Sequence, residues 1–277
     1  MEELFTVRRG NFPLILVALH GGSYCPDGLR ERTTGTLLAD KDTVPFLHQL
    51  DQTFQKKNPG YFPSTVIVRL HRKYCDLNRS FDECYDRPGG ESVEVLDKLW
   101  HGVHGWISEE VDRWSEILGR QWPLLLDIHG YAAKSSSSPV YRGTYHGQTF
   151  RPEGNLSKVW KTPMSPGTWS ERRENSRYRG GFLVQRFQYL PGQAIQWEFP
   201  DWMRTSREKR VKWCISLWES LNEWDEWMMM IGRLENYNFR IEQRERVNVL
   251  QGFDRLFIPL LLWIFISFLI KTECFIF

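Results

Sequence analysis

Apolar residues occur along this chain in two spacings, and segments with the two spacings alternate. Where several apolar residues are continuous, the pattern is typical of strands buried on both faces of a sheet. Where apolar residues recur every three to four positions, the pattern is typical of one face of a helix. The predicted strands are 13–19, 64–70, 123–130, 179–187 and 194–199, and the predicted helices are 37–50, 93–118 and 206–231.

This alternation predicts an α/β fold. We expect a single three-layer domain, residues 1–250, with a mixed, mostly parallel central sheet that is flanked by helices. The segment 151–177 is polar and contains three prolines, so we expect it to form an exposed excursion from the domain.

The C-terminal segment 251–277 differs from the rest because residues 256–270 are almost purely apolar. A helix that crosses a bilayer needs about 20 apolar residues, so this stretch is short, and Pro259 lies inside it. A membrane anchor, a buried helix and a sequence foreign to the fold are the three interpretations. The anchor is preferred, which predicts a membrane contact through this tail.

Composition narrows the class of protein. The 277 residues carry a formal net charge of +2, which predicts no nucleic-acid partner. The five cysteines contain no Cys-x-x-Cys pair, which favours reduced thiols over a disulfide framework. Residues 1–10 carry four charges and no apolar core, unlike a signal peptide. We therefore expect a cytoplasmic protein, associated with a membrane only through its tail.

Histidines stand at the ends of two predicted strands. His20 follows the strand 13–19, and both Asp127 and His129 end the strand 123–130. Residues two apart in a strand point to the same side, and open α/β sheets bind ligands beyond the carboxyl ends of their strands. An aspartate that caps a helix beside a hydrogen-bonded histidine is the alternative interpretation of Asp127 and His129.

Two acidic residues are further candidates for a site. Asp40 stands in the first predicted helix, near its start, where a helix cap is an equally good interpretation. Glu198 lies within an apolar strand, where burial raises a carboxyl pKa toward the range useful for proton transfer. An edge strand that turns Glu198 toward solvent is the alternative.

A polar segment follows the strand 64–70 and contains Arg72, Asp76, Asn78 and Arg79. Arginine presents a planar fork that suits a carboxylate, and Asn78 can donate beside it. This favours a substrate-binding segment over a solvated basic loop. Thr144 lies among glycines in a later loop, which suits either a substrate-lining loop or a turn.

These groups together suit a zinc enzyme. His20 and His129 with a carboxylate can supply the three ligands that catalytic zinc sites typically use. Bound zinc lowers the pKa of water to about 7 and polarises a carbonyl group. With Glu198 to move a proton and Arg79 to hold a carboxylate, the set suits hydrolysis of an amide in an acidic small molecule.

Read in order, these motifs resemble the N-formylglutamate amidohydrolase family over residues 13–203. The resemblance implies a zinc-peptidase-like fold and hydrolysis of carbon–nitrogen bonds in small acidic N-acyl amino acids. The chain departs from the family at Gly21 and Gly130, where serine is frequent, and at Ser23, where carboxypeptidases have a ligand glutamate. The motifs are His20-Gly21-Gly22, Asp40 with Thr43, Arg72-x-x-x-Asp76-Leu77-Asn78-Arg79, His104, Asp127-Ile128-His129, Gly180-Gly181-Phe182 with Gln185, and Gln196-x-Glu198.

The resemblance also implies roles for individual residues. A non-catalytic relative that binds acidic molecules through Asn78 and Arg79 is the alternative function. The implied roles are His20, His129 and Asp40 as zinc ligands, Glu198 as general base with Asp127 and His104 as further catalytic residues, and Arg72, Asp76, Asn78 and Arg79 as substrate-binding residues.

Overall fold

The computed structural model of this protein describes residues 3–87, 93–118, 123–133, 138, 140–145, 171–172, 178–187, 193–222, 232, 234 and 237–238. The chain divides into two compact units, Met1–Met230 and Ile231–Phe277. The first unit contains the sheet and every helix named below. In the second, the four described residues are helical. The boundary predicted at residue 250 stays a prediction.

A seven-stranded mixed sheet forms the centre of the first unit. The strands are β1 (Phe5–Arg8), β2 (Phe12–Ala18), β3 (Pro63–Val68), β4 (Leu124–Tyr131), β5 (Val140–Gly143), β6 (Glu171–Arg172) and β7 (Gln193–Pro200), in the spatial order β1-β3-β2-β4-β7-β5-β6. Neighbouring strands run parallel in the pairs β3–β2, β2–β4, β4–β7 and β5–β6, and antiparallel in β1–β3 and β5–β7. The predicted mixed, mostly parallel sheet is therefore confirmed.

Helices cover both faces of this sheet. The helices are α1 (Thr43–Lys57), α2 (Glu94–Ile117), α3 (Phe182–Arg186), α4 (Asp201–Arg204) and α5 (Arg207–Asn222), with a 3-10 turn at Phe81–Glu83. On one face, Phe199 of β7 stacks on Phe46 of α1 with ring centroids 4.2 Å apart, and Phe46 contacts Trp213 of α5. On the other face, Gln196 of β7 contacts Asn78, whose segment is held by α2. The predicted three-layer α/β fold is confirmed.

The continuous apolar runs are buried as their patterns predict. Every residue of β2 and β3 is buried, as are the first six residues of β4. These three strands are adjacent in the sheet, so neither of their faces meets solvent. Removing such apolar area from water stabilises the fold by about 25 cal/mol per Å². The buried strands therefore form a rigid base from which their carboxyl-end residues project.

The helix predicted over 37–50 is wrong at its start, because α1 begins only at Thr43. The chain before it is held against the end of β2, where the backbone N–H of Asp40 donates to the carbonyl of His20 at 2.8 Å. Asp42 then adopts a left-handed conformation with φ of 65°. A residue other than glycine pays for such a conformation, so tertiary contacts fix this turn against the local helical pattern.

The strand predicted over 179–187 is also wrong. Residues 182–186 form the short helix α3, which Gly181 precedes. The backbone N–H of Leu183 in its first turn donates to the side chain of Asn78 at 2.9 Å, which satisfies a donor that a helix start leaves unpaired. Strands β1, β5 and β6 were not predicted, because short edge strands carry little apolar pattern.

Within the described part of the chain, no helix is long and apolar enough to cross a membrane. The apolar tail 256–270 and most of the polar segment 151–177 lie outside the described residues. The four described cysteines at 25, 75, 84 and 214 are free thiols, as predicted.

Candidate metal centre and active site

Three side chains meet where the sequence predicts a metal site. His20 follows β2, His129 lies near the end of β4, and Asp40 lies in the turn before α1. One ligand atom from each lies within 4.8 Å of the others, and all three residues are buried. Since β2 and β4 are neighbouring parallel strands, the sheet itself brings the two distant histidines to one edge.

The spacing of these atoms fits a tetrahedral ion. The two Nδ1 atoms of His20 and His129 are 3.1 Å apart. Asp40 Oδ2 lies 2.9 Å from His129 Nδ1 and 3.5 Å from His20 Nδ1. Ligand atoms at about 2 Å from a tetrahedral zinc ion are separated by about 3.3 Å. The three observed separations bracket that value, so the donor set fits zinc in number, type and geometry.

The Nε2 atom of each histidine contacts a carboxylate. Asp76 Oδ1 lies 2.6 Å from His20 Nε2, and Asp127 Oδ2 lies 2.9 Å from His129 Nε2. Both carboxylates are fully buried. Each therefore accepts the Nε2 proton and leaves the Nδ1 lone pair directed at Asp40, which is how outer carboxylates orient ligand histidines in metal sites. Asp127, for which the resemblance implies a catalytic role, therefore contacts the ring of His129 and does not line the cavity.

Arg72 contacts both Asp76 and Asp40, the third candidate ligand. Its Nε and Nη2 both donate to Asp76 Oδ2, at 3.2 and 3.0 Å, and its Nη1 lies 3.4 Å from Asp40 Oδ1. Arg72 lines the cavity, but Asp76 does not. The predicted substrate-binding role of Asp76 is therefore corrected: the residue is buried behind His20 and cannot reach a substrate.

The electrostatics of the three ligands favour a bound cation. Burial acts to raise the pKa of Asp40, but the contacts with His129 and His20 outweigh burial and hold the pKa well below its usual range. Burial acts to lower the pKa of His129, and the charges of Asp127 and Asp40 reverse this, so the pKa is raised well above its ordinary value. A positive charge is therefore strongly stabilised among these atoms, whether a proton or a metal ion carries it.

Glu198 stands beside His129 on β7, in register with it. Burial raises the pKa of Glu198 to about 7; the charge of His129 opposes this and that of Asp40 adds to it. Within the described structure its carboxylate has one hydrogen bond, from Gln196 Nε2 at 2.7 Å. A carboxyl group with a pKa near neutrality suits both the acceptance and the donation of a proton.

The orientation of Gln196 is fixed by its other end. Its Oε1 accepts from Asn78 Nδ2 at 3.0 Å and from the backbone N–H of Gly181 at 2.7 Å. Asn78 Oδ1 in turn accepts from Leu183 N–H. This chain of hydrogen bonds turns the amide nitrogen of Gln196 toward Glu198. It also occupies the amide of Asn78, which the sequence predicts as a substrate ligand.

These groups line a cavity of about 770 Å³, which is within the range of small-molecule sites. Arg79 lines it and is exposed, with one hydrogen bond to the carbonyl of Asn78. It is therefore placed to bind a ligand. The predicted site residues in the lining are His20, Asp40, Arg72, Asn78, Arg79, His129 and Glu198.

Besides Asp76 and Asp127, two further predicted residues, His104 and Thr144, do not line the cavity. His104 of α2 is buried behind the Asn78–Arg79 segment, where its Nε2 lies 2.9 Å from the carbonyl of Leu77 and its ring packs against Trp100. Burial lowers the pKa of His104 to about 4, so it is a neutral donor to that carbonyl. Thr144 is buried after the end of β5. The structure thus corrects both assignments, since neither residue reaches the cavity.

Sequence reasoning missed Arg204, which lines the cavity from α4. Its guanidinium lies against Gly130, where an added Cβ would stand 2.3 Å from its Nε and Cζ. The glycine that departs from the family pattern after His129 is thus required by this arginine. No spacing in the sequence could indicate this, because 74 positions separate the pair and their contact exists only in the fold.

Comparisons with known proteins agree with this picture, although no protein-family model matches the chain. An N-formylglutamate deformylase of Pseudomonas putida is 22% identical over 221 residues, which cover 68% of this chain and 79% of the deformylase. Two solved structures share the fold at 14% identity. One is a gene product of Agrobacterium tumefaciens, with a TM-score of 0.56 over 84% of this chain and 94% of its own.

The other is the N-formylglutamate amidohydrolase of Ralstonia eutropha, with a TM-score of 0.55 over 85% of this chain and 99% of its own. The two structural matches agree with the predicted fold class. The curated deformylase is a hydrolase, which supports the prediction of a hydrolase. In sequence this chain is similar to an N-formylglutamate deformylase, and in fold it is similar to an N-formylglutamate amidohydrolase.

Proposed function

We propose that this protein is a zinc-dependent amidohydrolase that cleaves the amide bond of a small N-acyl amino acid of the N-formylglutamate kind. One observation supports the proposal most directly. Two histidine Nδ1 atoms and one carboxylate oxygen stand at the spacing of a tetrahedral zinc site, next to a buried glutamate with a pKa of about 7.

Each part of the site has a task in this reaction. Zinc held by His20, His129 and Asp40 would polarise the acyl carbonyl and lower the pKa of a water molecule. Glu198 accepts a proton from the attacking water. The water oxygen forms a bond to the carbonyl carbon, the carbon–nitrogen bond breaks, and Glu198 gives the proton to the leaving amine. Gln196 holds the Glu198 carboxylate in place throughout, through its 2.7 Å hydrogen bond.

Arg79 orients the substrate. Its exposed guanidinium at the cavity wall suits a carboxylate of the amino-acid part. Asn78 beneath it supports the Arg79 segment and Gln196 rather than the substrate, because its amide is engaged within the protein. Arg72 neutralises the carboxylates of Asp76 and Asp40 around the two ligand histidines.

The test is metal content followed by turnover. We expect about one zinc ion per purified chain, and release of amino acid from a panel of formyl, acetyl and succinyl amino acids. His129→Ala should remove the ion and lower the turnover rate by about 10³-fold, because the metal supplies several kcal/mol of transition-state stabilisation.

His101→Ala is the matched control, since His101 is an exposed histidine of α2 that lies outside the cavity lining. It should keep both zinc and activity. A folded protein that takes up no zinc would contradict the proposal. Binding of the panel without any product would favour the non-catalytic alternative.

A further inference from the structure

Three tyrosine rings pack against one another near the end of β4 and form what we call the tyrosine wall. They belong to Tyr131 of β4, Tyr141 of β5 and Tyr178, which precedes α3. The ring centroids of Tyr141 and Tyr178 lie 4.8 Å apart with an interplanar angle of 28°. The ring of Tyr131 lies 5.3 Å from that of Tyr178 and 5.5 Å from that of Tyr141. Aromatic rings attract one another at such separations, so each ring is held in place by the other two.

The strand register places the tyrosine wall beside the candidate metal centre. Tyr131 follows His129 by two positions in β4, so both side chains lie on the same face of the sheet. Tyr141 is the antiparallel partner of Glu198, and the Cβ atoms of two such partners lie about 5 Å apart on one face. A group that rests on the tyrosine wall therefore lies next to the carboxylate that is proposed to transfer the proton.

The tyrosine wall presents an uncharged aromatic surface to the cavity. Tyr131 and Tyr178 line the same cavity as His129 and Glu198, and Tyr141 packs against them from outside the lining. Both lining tyrosines are only half-buried, so part of each remains accessible. Burial raises the pKa of Tyr131, and the neighbouring Tyr141 and Tyr178 add to this, so its phenol stays neutral. Covering such an apolar surface with a ligand removes it from water, which is favourable.

The cavity has room for a group that packs on this surface. Its volume of about 770 Å³ lies within the range of about 300–1,000 Å³ that holds drug-sized ligands. N-formylglutamate is much smaller than a ligand of that size, and it has no aromatic group. Neither Tyr131 nor Tyr178 has a task in the proposed reaction. The tyrosine wall is therefore a part of the cavity that N-formylglutamate leaves unused.

We propose that the tyrosine wall is a subsite for a planar aromatic group of the substrate, adjacent to the amide that is cleaved. The aromatic group packs against Tyr131 and Tyr178, while Arg79 binds a carboxylate and the amide carbonyl stands at the metal centre. The group belongs either to the acyl part or to the amino-acid side chain. This inference rests on the proposed function for the position of the amide, whereas the binding of an aromatic group rests on the tyrosine wall alone.

The experiment measures binding to the zinc-loaded full chain by calorimetry. The probes are phenylpropionate, cyclohexylpropionate and butyrate, which carry one carboxylate each and end in a planar ring, a puckered ring and a methyl group. We expect phenylpropionate to bind about 10-fold or more tightly than butyrate, because the ring is buried. It should bind about 3-fold or more tightly than cyclohexylpropionate, because only a planar ring adds an aromatic contact to burial.

The variants ask whether the preference for the planar ring depends on the tyrosine wall. Tyr131→Leu keeps an apolar side chain but removes the ring, so phenylpropionate and cyclohexylpropionate should bind equally. Tyr131→Phe keeps the ring and should keep the preference. Tyr24→Leu is the matched control, because Tyr24 is exposed and does not line the cavity, and it should also keep the preference.

If Tyr131→Leu does not fold, Tyr178→Leu removes the other lining ring and should abolish the preference in the same way. Two results would overturn the inference. One is a wild-type protein that binds the two ring acids equally, and the other is a preference that survives the leucine variant.

Turnover identifies which part of the substrate carries the aromatic group. The first pair of substrates is N-benzoylglutamate with N-acetylglutamate, and the second is N-formylphenylalanine with N-formylleucine. If Tyr131→Leu lowers the kcat/KM ratio of the first pair by about 5-fold or more, the aromatic group belongs to the acyl part. The same loss in the second pair assigns it to the amino-acid side chain.

Turnover also separates this inference from the proposed function. If these compounds are hydrolysed and Tyr131→Leu changes neither kcat/KM ratio, the inference is wrong and the proposed function stands. If none is hydrolysed while Tyr131→Leu abolishes the preference for phenylpropionate, the inference stands and the proposed function is wrong.

Discussion

Two buried glutamates lie at opposite ends of the same sheet, and their surroundings differ. Glu110 of α2 lies near the amino ends of the strands and is surrounded by donors. Ser64 Oγ donates to it at 2.5 Å, Arg113 forms a close ion pair, and Arg9 Nε lies 3.2 Å away. Glu198 at the carboxyl ends has one hydrogen bond, from the neutral Gln196.

The contrast distinguishes a buried glutamate that stabilises the fold from a buried glutamate at a functional site. Each oxygen of the Glu110 carboxylate contacts an arginine or the Ser64 hydroxyl, so the charge of Glu110 is paired within the protein. Beside Glu198, the Nδ1 atoms of His20 and His129 and the Oδ2 atom of Asp40 converge at the spacing of metal ligands. A buried polar group without a matched partner is costly, so incomplete pairing indicates the end of the sheet that binds ions and substrates.

The largest expected effect is on catalysis. Glu198→Gln keeps the size and the hydrogen bond to Gln196 but removes proton transfer, so kcat should fall by about 10²- to 10⁴-fold. Zinc content should stay at one ion per chain. Glu110→Gln, measured per folded molecule, should leave kcat unchanged. Steady-state kinetics with metal analysis checks both variants, and equal losses of kcat in the two would erase the distinction between the ends.

The second prediction concerns the stability of the protein after a chelator has removed the metal. The pKa of Glu198 is raised from 4.5 to about 7, so the folded state keeps a proton that the unfolded state has lost. This stability is present below pH 4.5 and is lost as pH rises to 7. Glu198→Gln should therefore raise the free energy of unfolding by about 3 kcal/mol at pH 8.5 and change it little at pH 4.

Glu110→Gln should change the free energy of unfolding in the opposite direction. At pH 8.5 it should lower the free energy of unfolding by about 3–5 kcal/mol, because Arg113 and Arg9 lose their buried carboxylate. Urea denaturation at the two pH values measures both variants. Destabilisation of the protein by Glu198→Gln at pH 8.5 would show that Glu198 is as well paired as Glu110.

The smallest effect is expected for Asp127, whose carboxylate contacts Nε2 of the candidate ligand His129. Asp127→Asn presents a donor to His129 Nε2, which moves the ring proton to Nδ1 and blocks the lone pair that faces the ion. Zinc affinity should fall by about 10- to 100-fold without loss of folding. Competition with a chelator measures this affinity. Asp82→Asn, at an exposed aspartate of the 3-10 turn, is the control and should leave zinc affinity at the wild-type value.

The sequence by itself determined the buried strands and indicated the three residues that meet at the candidate metal site. Continuous apolar runs have few alternatives to a central parallel sheet, and the residues that end such strands must meet at one edge. His20 and His129 could therefore be paired although 109 positions separate them. The order of the motifs also indicated two further residues. Glu198 was predicted to transfer a proton and Arg79 to bind a carboxylate, because hydrolysis of an acidic substrate needs both groups.

Only the tertiary structure decided which polar residues reach the cavity. Asp76 and Arg79 are three positions apart, yet one is fully buried behind a ligand and the other is exposed. His104 faces a backbone carbonyl, and Arg204 reaches the site through the space that Gly130 leaves. Side-chain exposure depends on which layer packs against a segment. That packing is set by contacts between residues far apart in the chain, which local patterns do not record.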